Sequence, residues 1–283
     1  TFPEQREAKR RALLEAVESL RDVLLAGSDE AESGGTLPQA TVDAIYESGL
    51  FSFKTPQVLG GAEADAMIQL DVIEAASRIE SSAGWCLMIG AGSLANMAAF
   101  LCDEAIDEIF AGGKAPKTAG VAAPSGEATP VEGGYRVSGR WSFASGIRHA
   151  QWVSSGAMLV GGKADPPQHL RIVVPTSQAQ IHDNWEVVGL RGTGSCEYSL
   201  SNVFVPQRFT WAGGEAGPQR GGPNFLLGRP GMQTTGHCGF ALGVGRRALD
   251  AVTELALSKK RGYRGSAELV ADRGSFQRFL GES

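Results

Sequence analysis

The hydrophobic period of this 283-residue chain changes twice, near residues 112 and 213. Up to the first change, apolar residues recur at helical spacing. Leu13, Val17, Leu20 and Leu24 form one stripe, as on an amphipathic helix. Thr36 ahead of Pro38 predicts an N-cap and first-turn pair for a second helix through Val42 and Ile45. Gly60-Gly61 breaks the pattern, which resumes over residues 66–79. Ser81 or Ser82 is expected to cap the next helix, about 83–101. That segment is apolar nearly all round and belongs at the centre of a fold. Asp103 is expected to cap a short helix ending near Gly112-Gly113.

From about 113 to 212 the period is two. Tyr135, Val137, Trp141 and Phe143 alternate with Arg136, Ser138, Arg140 and Ser142, which predicts a strand with one buried face. Gly133-Gly134 predicts the preceding hairpin turn. Further strands are expected at 118–123, 152–160, 170–174, 180–182 and 197–205, the last with a phase slip at Ser201-Asn202 that implies a bulge. Such short strands predict a small antiparallel barrel or sandwich. After a link with eleven glycines in 213–245, helical spacing returns from about 232 to 259 (Leu242, Leu249, Val252, Leu255), and a weaker helix is expected at 267–280. The fold class is therefore α+β: a helical domain (1–112), a β domain (113–212), and a link with the start of a helical bundle (213–283). Segregated rather than alternating elements argue against doubly wound folds.

Several function classes fall away. A net charge of -5 without a Lys/Arg block gives no electrostatic reason to bind nucleic acid. No run of 18 apolar residues implies a membrane span. The opening Thr1-Phe2-Pro3 lacks an apolar signal core, so a cytoplasmic chain is expected. Cys86, Cys102, Cys196 and Cys238 form no CxxC and are expected to be buried, reduced thiols. The four histidines form no ligand motif, so no metal site is expected. Gly243-Val244-Gly245-Arg246-Arg247-Ala248 matches GxGxxA but lies inside a helical pattern, and reads as close helix packing rather than a dinucleotide loop. The 38 glycines, about twice the usual share, follow no collagen period and must serve turns and close approaches.

Two polar segments stand out. Trp141-Ser142-Phe143-Ala144-Ser145-Gly146 brings two aromatics to a strand end and then breaks. An apolar wall, a hydroxyl and an exposed N–H together suit a flat heteroaromatic ring, although core aromatics before a turn explain the segment alone. Arg191-Gly192-Thr193-Gly194-Ser195 would let backbone N–H groups approach an anion or a ring edge, and alone reads as a turn.

Taken with Ser82-Ala83-Gly84-Trp85, the AGVAAPSG segment at 119–126, GRWSFASG at 139–146, His149, Trp152, WEVVGLRGTGS at 185–195 and Val203-Phe204-Val205-Pro206, the sequence resembles the acyl-CoA dehydrogenase superfamily. Within it the chain looks most like the two-component, flavin-dependent monooxygenases of aromatic compounds. The resemblance implies reduced FMN or FAD and O2 as cofactors, a separate flavin reductase as partner, a small aromatic or polycyclic substrate, and a homodimer or homotetramer. It places Ala122, Ala123, Pro124 and Ser125 beside the pyrimidine side of the flavin. Trp141, Phe143, Ala144, Ser145 and Gly146 would lie along the ring, with Ser145 the catalytic candidate, a hydroxyl donor near N5. Arg191, Thr193 and Ser195 would line the cofactor or substrate cleft. The apolar helix around 85–100 would keep water from the oxygen adduct of reduced flavin.

The departures count as well. Phenol hydroxylases of the family often carry a histidine in the N-terminal helical domain, and none precedes His149 here. Many also carry serines where this chain has Ala119-Gly120-Val121. An acyl-CoA dehydrogenase oxidising an acyl thioester is the alternative within the fold, but Ala-Ser-Gly stands where those enzymes have Thr-Asn. A flavin-free assembly module is the alternative outside it, since most of the C-terminal bundle is expected to be missing. Lys259, Lys260, Arg261 and Arg264 could contact a flavin phosphate or simply end a helix.

Overall fold

The structure is a computed structural model that describes residues 2–161, 168–213, 217–262 and 267–282. Four helices open the chain: α1 (Arg6–Ser19), α2 (Arg21–Ala26), α3 (Ser28–Gly34) and α4 (Gln39–Glu47). Leu13, Val17, Leu20 and Leu24 are all buried in their shared core. At α4 the sequence expectation is corrected: Pro38 occupies the N-cap position, and the Thr36 hydroxyl instead meets His149 Nε2 at 3.0 Å.

Helix α5 (Ala66–Ile79) has the expected bounds. The Asp65 carboxylate caps it, accepting from Met67 and Ile68 N–H at 3.0 and 3.1 Å. Helix α6 (Ser81–Phe100) is also capped by a carboxylate rather than by a serine: Glu80 accepts from the N–H groups of Ser82 and Ala83 at 3.1 and 2.6 Å. Burial raises the Glu80 pKa, while these N–H groups favour its charged form. In helix α7 (Asp103–Ile109), Cys102 holds the cap position and Asp103 is already inside the first turn. Helix α6 is long and apolar enough to cross a membrane, yet 72% of that window is buried in the protein, as in a core helix.

Among the described residues, seven strands form one sheet in the order β5-β6-β2-β1-β3-β4-β7. They are β1 (Thr118–Val131), β2 (Gly134–Trp141), β3 (Trp152–Leu159), β4 (His169–Pro175), β5 (Gln180–His182), β6 (Glu197–Pro206) and β7 (Thr210–Ala212). The β1–β2 hairpin turns through Glu132-Gly133, with Gly133 at φ 77°. The expected all-antiparallel architecture is corrected, because β3 runs parallel to β1. After β2 the chain passes the start of β1, where Gln151 N–H donates to Lys117 O at 2.8 Å, and enters on β1's other side. Alternation reveals a strand's buried face but not its neighbour. The expected bulge in β6 is present: Asn202 sits at φ 52° and the β2–β6 register shifts between Val137 and Gly139. A second register shift, between Val121 and Gly126 of β1, interrupts the β1–β3 register over residues 122–125 and forms a bulge there.

Helix α8 (Gly228–Ser258) runs along α5. The GxGxxA segment lies inside it; its Gly243 packs closely as expected, whereas Gly245 faces open space. A Cβ at Gly239 would stand 2.5 Å from Leu70 O, and one at Gly243 would collide with Glu74 O. Ion pairs flank the contact, Arg78 to Asp250 at 2.8 Å and Arg246 to Glu74. The expected apolar markers of α8 lie away from α5: Leu242, Leu249, Val252 and Leu255 are all exposed. Strands β8 (Lys260–Arg261) and β9 (Glu268–Leu269) precede α9 (Gly274–Glu282), which starts later than the sequence pattern implies. Lys259, Lys260 and Arg261 are exposed, and Arg264 lies outside the described residues. Of the cysteines, Cys86 and Cys196 are buried, Cys102 is half-buried, and Cys238 is exposed, against expectation.

Candidate active site

A cavity of about 700 Å³ opens between α6, the β1 bulge, the 185–195 loop and the first half of α8. That is ordinary for a small-molecule site. Ala122, Ala123, Phe143, Ser145, Thr193 and Ser195 line it together. Pro124, Ser125, Trp141, Ala144, Gly146 and Arg191 do not. Trp141 is fully buried behind the sheet. It stacks on Tyr198 at 5.0 Å, and its indole N–H donates to Gly156 O at 2.8 Å. Arg191 is partly exposed, 4.0 Å from Glu32.

The two sequence segments that are weak apart are hydrogen-bonded to each other. Ala144 N–H donates to Cys196 O at 3.1 Å, and Gly146 N–H donates to Thr193 O at 2.9 Å. Phe143 turns the chain at φ 65°, a costly conformation for a residue with a Cβ. Its ring is thereby thrown outward, 70% exposed, edge-on to Trp185 at 6.0 Å.

Behind this turn runs a chain of hydroxyls. Trp85 Nε1–H donates to Ser145 Oγ at 2.9 Å. Ser145 and Ser195 hydroxyls are 2.7 Å apart, as are those of Ser195 and Thr193. Thr193 donates to Leu190 O at 2.8 Å. A hydroxyl has one proton, so the donors are fixed in sequence: Thr193 to Leu190, Ser195 to Thr193, Ser145 to Ser195. In that order Ser145 Oγ, which already accepts from Trp85, keeps a second acceptor lone pair at the cavity.

Three lining residues escape a sequence reading. Arg171 of β4 reaches under the β1 bulge, donating to Val121 O at 2.8 Å, Ala122 O at 3.2 Å and Ser154 Oγ at 2.9 Å. A lone Arg between Leu170 and Ile172 was its one signal. His237 of α8 meets the Trp85 ring edge-on at 5.7 Å. Lys54 lines the cavity from the segment after α4, and burial alone pulls its pKa from 10.5 to about 8. His149 is not among the lining residues, and burial lowers its pKa.

No protein-family model matches the chain. It is 31% identical over 201 residues to a pigment production hydroxylase of Rhodococcus sp. (strain ATCC 21145), a match covering 70% of this chain and 51% of that one. It is 34% identical over 218 residues to an indole-3-acetate monooxygenase of Pseudomonas putida, covering 76% of this chain and 54% of the relative. Its fold superimposes on XiaF from Streptomyces sp., solved with FADH2 and glycerol, with a TM-score of 0.84 and 30% identity, over 96% of this chain and 70% of that one. The chain belongs to the family of flavin-dependent monooxygenases with the acyl-CoA dehydrogenase-like fold. It spans about half the length of the curated relatives it matches.

Proposed function

We propose that the chain is the oxygenase component of a two-component system, which takes reduced FMN or FAD from a separate reductase and hydroxylates an aromatic or polycyclic small molecule. The observation that carries this reading is the hydroxyl chain ending at Ser145 in a largely apolar cavity. Reduced flavin bound there would supply the two electrons that activate O2. Ser145 would accept a hydrogen bond from the ring edge, and Trp85, Ser195 and Thr193 would hold its oxygen in place. Ala122 and Ala123 have small side chains that let a planar ring approach the β1 bulge. Met88, Ile89 and Phe100 would exclude water from the reacting edge. Sequence relatives named as monooxygenases of aromatic acids and phenols support the substrate class. The same reading divides the chain at about 112 and 213, supported by separate buried clusters in the helical and sheet regions. It also includes a homodimer or homotetramer, supported by the exposed apolar face of α8.

The test is oxygen consumption by the reduced-flavin-loaded chain with and without candidate aromatics. The expected result is H2O2 alone without substrate, and product formed at the expense of H2O2 with a good substrate. H2O2 yields indifferent to every aromatic would count against oxygenation. Turnover of an acyl-CoA with an artificial electron acceptor would select the dehydrogenase, and absence of flavin binding would select the assembly module.

A further inference from the structure

Among the described residues, Lys54 is the only charged side chain in the buried core, at 6% exposure. Lysines ordinarily reach their ammonium out to water or pair it with a carboxylate. Lys54 does neither. Its Nζ lies 5.4 Å from the Phe53 ring centroid, and no charged group among the described residues perturbs it. The backbone around it is pinned. Phe53 and Thr55 are both 0% exposed, and Thr55 N–H and Glu63 N–H close the turn onto Ser52 O and Thr55 O at 3.1 and 3.0 Å. The ammonium is therefore held at the cavity wall, with no hydrogen bond or ion pair to the described residues. Although its pKa falls to about 8, it stays mostly protonated at neutral pH.

The neighbours define what it faces. A Cβ at Gly236 of α8 would be 3.4 Å from Lys54 Nζ and 2.9 Å from Met88 Cγ, so the glycine makes room for both. Met88 sits one turn after Trp85 on α6, and Trp85 holds Ser145. Lys54 and Ser145 thus share one cavity across the Trp85–Met88 turn. We propose that Lys54 is the substrate-recognition group of this cavity, binding an anionic oxygen, carboxylate or phenolate, on the aromatic molecule to be oxygenated. The assignment rests on the oxygenase reading only in taking that molecule to be the substrate.

The test is equilibrium binding to the 283-residue chain without flavin. Indole-3-acetate is compared with neutral indole-3-acetamide, and 4-nitrophenol with nitrobenzene. The expected result is a preference of at least about tenfold for one anion over its neutral counterpart. Lys54→Met removes that preference and leaves neutral binding unchanged. A preference in the first pair assigns the carboxylate. Appearance of the bound phenolate's absorbance in the second assigns the phenolate. No anion preference in the parent chain, or one that survives in Lys54→Met, overturns the proposal. So does loss of reduced-FMN binding in Lys54→Met, because the cation would then serve the flavin phosphate. Failure of the parent chain to bind reduced flavin while the anion preference stands would remove the oxygenase reading and leave the Lys54 site intact.

Discussion

Replacing Lys54 by Met should make the protein more stable, and the gain should depend on pH in a defined direction. The unfolded lysine titrates near 10.5 and the buried one near 8. Below about pH 8 both states are charged, and the folded state carries the full cost of burying the ammonium. As pH rises from about 8 to 10.5, the unfolded chain holds more protons than the folded one, so the parent gains stability through that window. At about 1.4 kcal/mol per pKa unit, the whole difference is about 3 kcal/mol. Methionine fills a similar volume without charge. Lys54→Met is thus expected to be more stable by up to about 3 kcal/mol at pH 7, or about 1 M in urea midpoint. By pH 10 the gap should have shrunk by about three quarters. The assay is urea unfolding of both proteins at the two pH values. A destabilised variant at pH 7, or a gap of the same size at both pH values, would refute the account of Lys54 as an uncompensated buried cation.

Other perturbations probe the helix contact and the cavity wall. Gly239→Ala is expected to force α8 off α5 and cost about 1–3 kcal/mol, whereas Gly245→Ala, with open space around it, should be neutral or stabilising by up to about 1 kcal/mol; thermal unfolding of the pair compares them. Ser145→Ala leaves the Trp85 N–H without its acceptor and should cost about 1–3 kcal/mol of stability. It should also raise the share of O2 released as H2O2 during turnover, and an unchanged share would remove Ser145 from its assigned role. Arg171→Met strips the donors from the Val121 and Ala122 carbonyls. Reduced-flavin affinity should fall by about tenfold or more, and unaltered affinity would separate the bulge from the flavin site.

The parts of the fold that periodicity governs were legible in the sequence. α5 begins and ends at the expected residues, six of the sheet's strands overlap expected ones (though β1 runs on to Val131 and β7 has no expected counterpart), and Gly243 packs on α5 as a small residue in a helix should. What periodicity cannot carry was not legible. A two-residue period does not say which strand lies beside β1, so the parallel β3 escaped it. Trp141 and Phe143 read as one aromatic wall, but the positive φ at Phe143 sends one ring outward while Trp141 stays behind the sheet. Capping by Glu80 rather than Ser81 or Ser82 reflects competition among adjacent polar residues that composition does not rank. The Ser145–Ser195 contact joins residues 50 positions apart. Lys54 sits in an aperiodic segment beside Pro56, where a lysine ordinarily means solvent.

The central claim, that this cavity holds reduced flavin against Ser145, is tested most directly by anaerobic titration of the chain with reduced FMN and reduced FAD, followed through the fluorescence of the lining Trp85, Trp185 and Trp211. Saturable binding at one site, weakened in Ser145→Ala, is the result expected. Binding of neither reduced flavin, or binding indifferent to Ser145→Ala and to Arg171→Met alike, would contradict it.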